Sequence, residues 1–209
     1  MDVHAPHEPV HTWKDFLLHL ATITIGLFIA LSLEGLVDYV HHRHLLREAR
    51  ENIRQEIEDN HKAAQKDIVS VQKDIDITNA DIDTIRTLRA DPKNFKGSLS
   101  YSMQFNSLSD AAWSSARDTG ALSFMPYKEV QGYADIYENQ KMVNDQVVEI
   151  FHRQTLALTP AFMEKTFDKI PENQTEALLH DTAATLIDLT TLKQIVQALD
   201  TQYATELKK

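Results

Sequence analysis

The sequence contains no cysteine, which removes disulfides, thiol catalysis, iron–sulfur ligation and cysteine-type zinc sites together. Glycine and proline are nearly as scarce, at five and six in 209 residues. A hairpin-rich β fold needs turn residues about every 8 to 12 positions, so this scarcity points to an all-α fold. Positive charge is also short: 21 Lys and Arg face 31 Asp and Glu, a formal net charge of −10. That balance repels nucleic-acid phosphate, and no basic, aromatic-interleaved pattern offsets it, so nucleic acid is not an expected partner. The chain also lacks a Gly-x-Ser-x-Gly elbow and a glycine loop that would cradle phosphate. No catalytic residue and no cofactor is assigned from the sequence. What is present, 43% apolar and 25% charged residues, is enough for one domain with its own core plus an appendage.

The appendage is the apolar run from Phe16 to Val37, broken only by His19 and Glu34. Its 22 residues span roughly 33 Å as a helix, enough to cross a hydrocarbon layer of about 30 Å. Trp13 and Tyr39 bracket it at interface depth. A buried core helix is disfavoured by the length. A cleaved signal peptide is disfavoured by the missing basic n-region and by the lack of a small-residue cleavage site before His41, His42, Arg43 and His44. Arg43, Arg47, Arg50 and Arg54 follow the run while only Lys14 precedes it, which places the larger domain in the cytoplasm, with the periplasm as the alternative.

His19, Thr22, Gly26, Ala30 and Glu34 recur at spacings of three and four, on one helical stripe. Small residues there let a second helix approach closely, and an ionised carboxylate facing lipid costs about 2.5 to 3.5 kcal/mol. The stripe is therefore expected to dock on another transmembrane helix, its own copy or a different subunit. The competing reading is that His19 and Glu34 snorkel to the interfaces.

Neither glycine nor proline occurs between Gly35 and Pro92, so one long helix is expected to leave the membrane unbroken. Ala64, Ile68, Val71, Ile75, Thr78, Ile82 and Ile85 give it an apolar seam. From Val40 to Ala90 it would run about 75 Å, and its first turns would stand as a stalk. Arg43, Arg47, Arg50 and Arg54 share a face of that stalk and suit anionic headgroups or a partner. The plainer reading is a solvated face laced by pairs such as Arg47 with Glu51.

Asp91 to Gly97 break the pattern. Beyond them, Ser107 and Asp110 have capping-box spacing before a short helix through Trp113, which Gly120 stops. Pro126 opens a helix with a seam through Val130, Tyr133, Ile136, Tyr137, Met142 or Val143, Val147 and Ile150, expected to end before Pro160. A short helix over 162–167 and a final one through Leu178, Thr182, Leu186, Leu189, Leu192, Val196, Leu199, Tyr203 and Leu207 complete an antiparallel bundle. The expected divisions are a tail over 1–14, a transmembrane helix over 15–39, a charged stalk over 40–60 and a bundle over 61–209.

The run Ile25, Gly26, Leu27, Phe28, Ile29, Ala30, Leu31, with the later Ala112, Trp113 and Thr119, Gly120, Ala121, Leu122, resembles uncharacterised bacterial single-pass membrane proteins grouped as domains of unknown function. The resemblance implies a bacterial inner-membrane setting and brings no site residues with it.

Among ten histidines, His41 and His44 with Glu48 form the best metal candidate, at i, i+3 and i+7, but further ligands would have to come from another helix. His4, His7 and His11 are similarly spaced and interrupted by Pro6 and Pro9. A haem at His19 lacks a second axial partner. Trp113, Tyr133 and Tyr137 suit either an aromatic pocket or ordinary core, and core is the commoner outcome. The leading expectation is a non-catalytic membrane-anchored interaction or scaffold module, an accessory subunit or homo-oligomer. The alternatives are a ligand-sensing bundle and a metal-dependent enzyme at the membrane junction.

Overall fold

The structure, a computed structural model, describes residues 12–164 and 166–209, leaving out the side chain of Asp168. Its helices are α1 (Trp13–Ala90), α2 (Ala111–Asp118), α3 (Tyr127–Met163) and α4 (Glu172–Glu206), with three short 3-10 turns and no strand among the described residues. The fold is all-α, as composition required. It divides into two compact units at Glu48 and Ala49. In the first, α1 exposes every residue from Trp13 to His41.

In the second unit three long helices share a core. Arg50, Glu56 and Asn60 of α1 bond Glu129, Tyr137 and Gln140 of α3 in rising order, so those helices run parallel. Arg54, His61 and Arg89 meet Leu207, Asp200 and Glu176 of α4 in falling order, so α4 runs antiparallel. Burial begins at Ala49 and includes Ile53, Ile57 and Asn60. The bundle therefore starts well before residue 61, because Ala49, Ile53 and Ile57 already carry the seam and only the first turns of the expected stalk remain outside it.

Of the expected seam, Ala64, Val71, Thr78, Ile82 and Ile85 are buried as spaced, and two positions shift by one residue. Asp67 and Asp74 are buried and Ile68 and Ile75 only half-buried, a consequence of what lies against that face. Residues 95–110 are neither helix nor strand. They run back along α1: the backbone N–H of Ser109 donates to Asn60 (2.9 Å), that of Asn106 to Asp67 (2.9 Å), that of Gln104 to Asp74 (3.3 Å) and that of Ser100 to Asp81 (2.9 Å). The acceptors stand seven residues apart. Twenty-one residues of helix rise about 32 Å, and the nine extended residues from Ser100 to Ser109 cover about 30 Å, so the two ladders stay in register. The second member of this up-down-up-down bundle is thus an extended strap whose unpaired N–H groups are met by side chains of α1. Leu99 and Tyr101 turn inward against Ile85, Ala157 and Leu178.

Three further expectations are corrected. Asp110 occupies the N-cap of α2 without a side-chain cap bond, so the capping box from Ser107 does not form. Glu56 of α1 caps the helix instead, taking the N–H groups of Ala112 (2.9 Å) and Trp113 (3.4 Å). Helix α3 continues through Pro160 to Met163, since a proline in the final turn removes only one ladder bond. The short helix over 162–167 is replaced by the end of α3 and a 3-10 turn at Phe167–Lys169. Elsewhere the punctuation holds: Gly120 sits left-handed at φ 77° just beyond α2 and Pro126 caps α3.

Candidate functional site

In the first unit His19 and Thr22 of the stripe keep their polar groups to their own helix. His19 Nδ1 lies 2.9 Å from the Asp15 carbonyl, and the Thr22 hydroxyl donates to that of Leu18 at 2.9 Å. A Cβ added at Gly26 would meet nothing within 4 Å. His19, Thr22, Gly26, Ala30 and Glu34 are all exposed, so among the described residues nothing covers the close-approach surface. Around the stripe, Leu18 is 68% and Phe28 65% exposed, and none of the most apolar 18-residue window is buried. This helix is long and apolar enough to cross a membrane.

The junction gives no ligand set. Among the described residues no group of three or more His, Asp or Glu is placed to hold a metal, and His41, His44 and Glu48 are not gathered. His44 Nδ1 lies 3.3 Å from Arg47 and the His41 ring packs beside His42. His4, His7 and His11 lie outside the described residues. So does a signal that sequence reasoning passed over: His7, Glu8, Pro9, Val10 and His11 spell His-Glu-x-x-His, a zinc-hydrolase pattern that works on a helix and is here interrupted by proline.

The four arginines part company. Arg43 stacks over Tyr39 at 5.6 Å, and Arg47 turns to His44. Arg50 makes a bidentate pair with Glu129 at 2.7 and 2.6 Å, and Arg54 donates to the Leu207 carbonyl at 2.8 Å, where a cation meets the negative end of α4. Arg50 and Arg54 therefore act first as internal ties. They line a cleft of about 580 Å³ with Lys128, Tyr133, Glu206 and Lys209; besides Arg50 with Glu129, Lys209 pairs with Glu206 in it.

The aromatic trio is filled rather than open. Trp113 and Tyr137 stack at 5.3 Å and 10°, with Tyr133 edge-on to the indole at 6.4 Å. The Tyr137 hydroxyl donates to Glu56 at 2.7 Å, and burial together with that carboxylate holds its pKa well above the usual phenol range. Glu56 also takes the Ser109 hydroxyl at 2.8 Å. One carboxyl group thus joins α1, the strap, α2 and α3.

The strap and its acceptors are what the sequence reading did not see. Asp67, Asp74 and Asp81 are all buried, and desolvation pushes each carboxyl above the ordinary carboxylate value against the opposing pull of the strap N–H groups. Asp67 Oδ2 and Asp81 Oδ2 have no hydrogen-bond partner among the described residues. Two signals were available: the acidic and amide residues at a strict interval of seven, and the alternation Leu99, Ser100, Tyr101, Ser102, Met103, Gln104, Phe105, Asn106, which reads as a half-buried strand.

No protein-family description, curated protein or solved structure matches the chain.

Proposed function

We propose that this protein is a single-pass, membrane-anchored interaction module: α1 crosses a bacterial inner membrane, its small-residue stripe docks on a second transmembrane helix, and the bundle serves as a rigid, non-catalytic scaffold in the cytoplasm. The observation that carries the reading is the total exposure of the apolar stretch. Some twenty consecutive residues of mostly Leu, Ile, Phe, Val and Ala face outward with no side of them buried, an arrangement stable in lipid and costly in water. The bundle supports a scaffold role, since its polar core is cross-tied by Glu56, Asn60 and Gln140. The arginine excess after the apolar stretch favours the cytoplasmic side, and the resemblance noted above favours the bacterial setting.

The absence of cysteine makes the test clean. Single-cysteine variants Leu27→Cys and Thr201→Cys, treated with a membrane-impermeant maleimide in intact cells, should both stay unlabelled, and Thr201→Cys should react once cells are opened. Rapid labelling of Leu27→Cys in intact membranes would remove the spanning helix, and labelling of Thr201→Cys in intact cells would move the bundle to the periplasm. For the docking stripe, Gly26→Leu with Ala30→Leu should dissociate the assembly extracted in mild detergent, while Leu27→Ala on another face should not. Mass spectrometry of that assembly separates a homo-oligomer from an accessory subunit. Stoichiometric zinc in the purified chain would instead favour a metal-dependent enzyme.

A further inference from the structure

Two glutamines are buried on the seam of α3, two heptads apart, at 1% and 7% exposure. Gln140 is paired at both ends of its amide: its Oε1 accepts from Asn60 at 3.0 Å and from the Tyr203 hydroxyl at 2.6 Å, and its Nε2 donates to the Ser109 carbonyl at 2.7 Å. Gln154 has no hydrogen-bond partner among the described residues. Its side-chain N and O are not among the fully buried unpartnered atoms of the described residues, so the amide keeps an open side free for a ligand. Gln154 lies on the wall of a groove of about 490 Å³ between the strap and the last turns of α3, within the range of about 300 to 1,000 Å³ typical of small-molecule sites. The other walls include Tyr101, Met103, Phe151, Phe162 and Met163, and none of the nine lining residues is charged. Their hydroxyl donors are spent. Tyr101 shares a hydrogen bond with Thr182 at 2.6 Å, and Thr155 and Thr159 bond carbonyls of their own helix at 2.9 and 3.1 Å. Phe162 and Met163 are 83% and 74% exposed, a large apolar surface left uncovered at the mouth.

We infer that this groove binds a neutral single-chain amphiphile, its chain lying against Phe151, Phe162 and Met163 and its ester or hydroxyl oxygen bonded to the Gln154 amide. The lining selects this chemistry. A carboxylate or phosphate would find no cation to pair with among the described lining residues. An alkane would leave the amide unsatisfied. A peptide brings a donor and an acceptor with every residue, and the groove offers one amide. The site is independent of the membrane-docking reading, since it uses only residues of the bundle.

The test uses the full chain in phospholipid nanodiscs with a diazirine-bearing monodecanoylglycerol as the photoprobe. Saturable labelling of peptides covering residues 101–103 and 148–163, displaced by unlabelled monodecanoylglycerol and not by decanoate, is the expected result. Gln154→Leu keeps the packing and removes the amide, and should weaken monodecanoylglycerol about tenfold, the worth of one neutral hydrogen bond, while leaving displacement by decane unchanged. Phe151→Ala, at an exposed position, should lower labelling with the fold intact by circular dichroism. The inference is overturned by unsaturable labelling, by decanoate competing equally, or by Gln154→Leu having no effect. It is overturned too if Phe151→Ala converts an assembly into single chains, which makes the groove an interface between copies.

Discussion

Helix α1 inverts its own pattern along its length. Over residues 16–40 it turns Leu, Ile, Phe and Val outward, whereas over Ala49–Leu88 it buries Asn60, Asp67, Asp74, Thr78 and Asp81. The same backbone carries both, so the difference lies in what surrounds each part. Outward apolar side chains suit the lipid surroundings proposed above, and carboxyls stay inside where backbone N–H groups come to meet them. The first part should be broken by charge. Ile23→Asp with Leu27→Arg places two ionised groups in the apolar stretch at about 2.5 to 3.5 kcal/mol each. The variant should leave the membrane fraction on alkaline extraction; retention there would show that the outward leucines are not a lipid surface.

Polarity, by contrast, is what the second part cannot lose. Asp67→Ala strands the Asn106 N–H, now bonded at 2.9 Å, and the Asn106 side-chain amide at 2.6 Å, a loss of about 2 to 3 kcal/mol. Hydrogen exchange at the Asn106 amide should accelerate by more than tenfold, with Asp67→Asn, which keeps an acceptor, close to the parent. Equal protection in Asp67→Ala would mean that the strap is held by its apolar side chains alone. A smaller effect is expected at Gly97, where an added Cβ would come within 2.6 Å of the Phe95 ring, itself edge-on to Phe167 at 5.5 Å. Gly97→Ala has to displace that ring, at about 1 kcal/mol, read as a lower urea midpoint. An unchanged midpoint would show that the turn absorbs the methyl.

How much of this was legible follows from which partners are local. Periodicity sufficed for most of α4, where Leu178, Thr182, Leu189, Leu192, Val196, Leu199 and Tyr203 are buried as spaced while Thr185 takes the place of Leu186 and Leu207 is half-buried, and for Val143 over Met142 on α3. Gly120 and Pro126 worked because a left-handed residue and a fixed φ are properties of one residue. The carboxylate ladder failed the same method because apolar periodicity counts Asp as outside, and its partner begins far along the chain at Ser100. The capping box failed for a related reason: Glu56, more than fifty residues upstream, outcompeted the local Ser107. The metal candidates His41, His44 and Glu48 were a spacing that already needed a second element to complete it. The groove at Gln154 was invisible because its meaning lies in a bond not made.

The smallest effect concerns protons and bears on the same contrast. Asp67, Asp74 and Asp81 have folded pKa values raised above the ordinary 3.8 by desolvation, which outweighs the N–H donors and, at Asp74, the charge of Lys73. Between 3.8 and the raised values the folded bundle holds more protons than the unfolded chain, so stability from these groups falls as pH rises through that window. Their contribution is complete below pH 3.8 and is lost on the way to neutrality. The triple variant Asp67→Asn, Asp74→Asn, Asp81→Asn cannot titrate there and should be at least as stable as the parent at pH 7. The parent should gain on it steadily as pH is lowered toward 4, measured as the difference between their urea midpoints. A parent that instead loses ground on acidification would mean that the strap holds these carboxylates ionised, so that the N–H groups dominate over burial and the polar core of α1 is a row of charges.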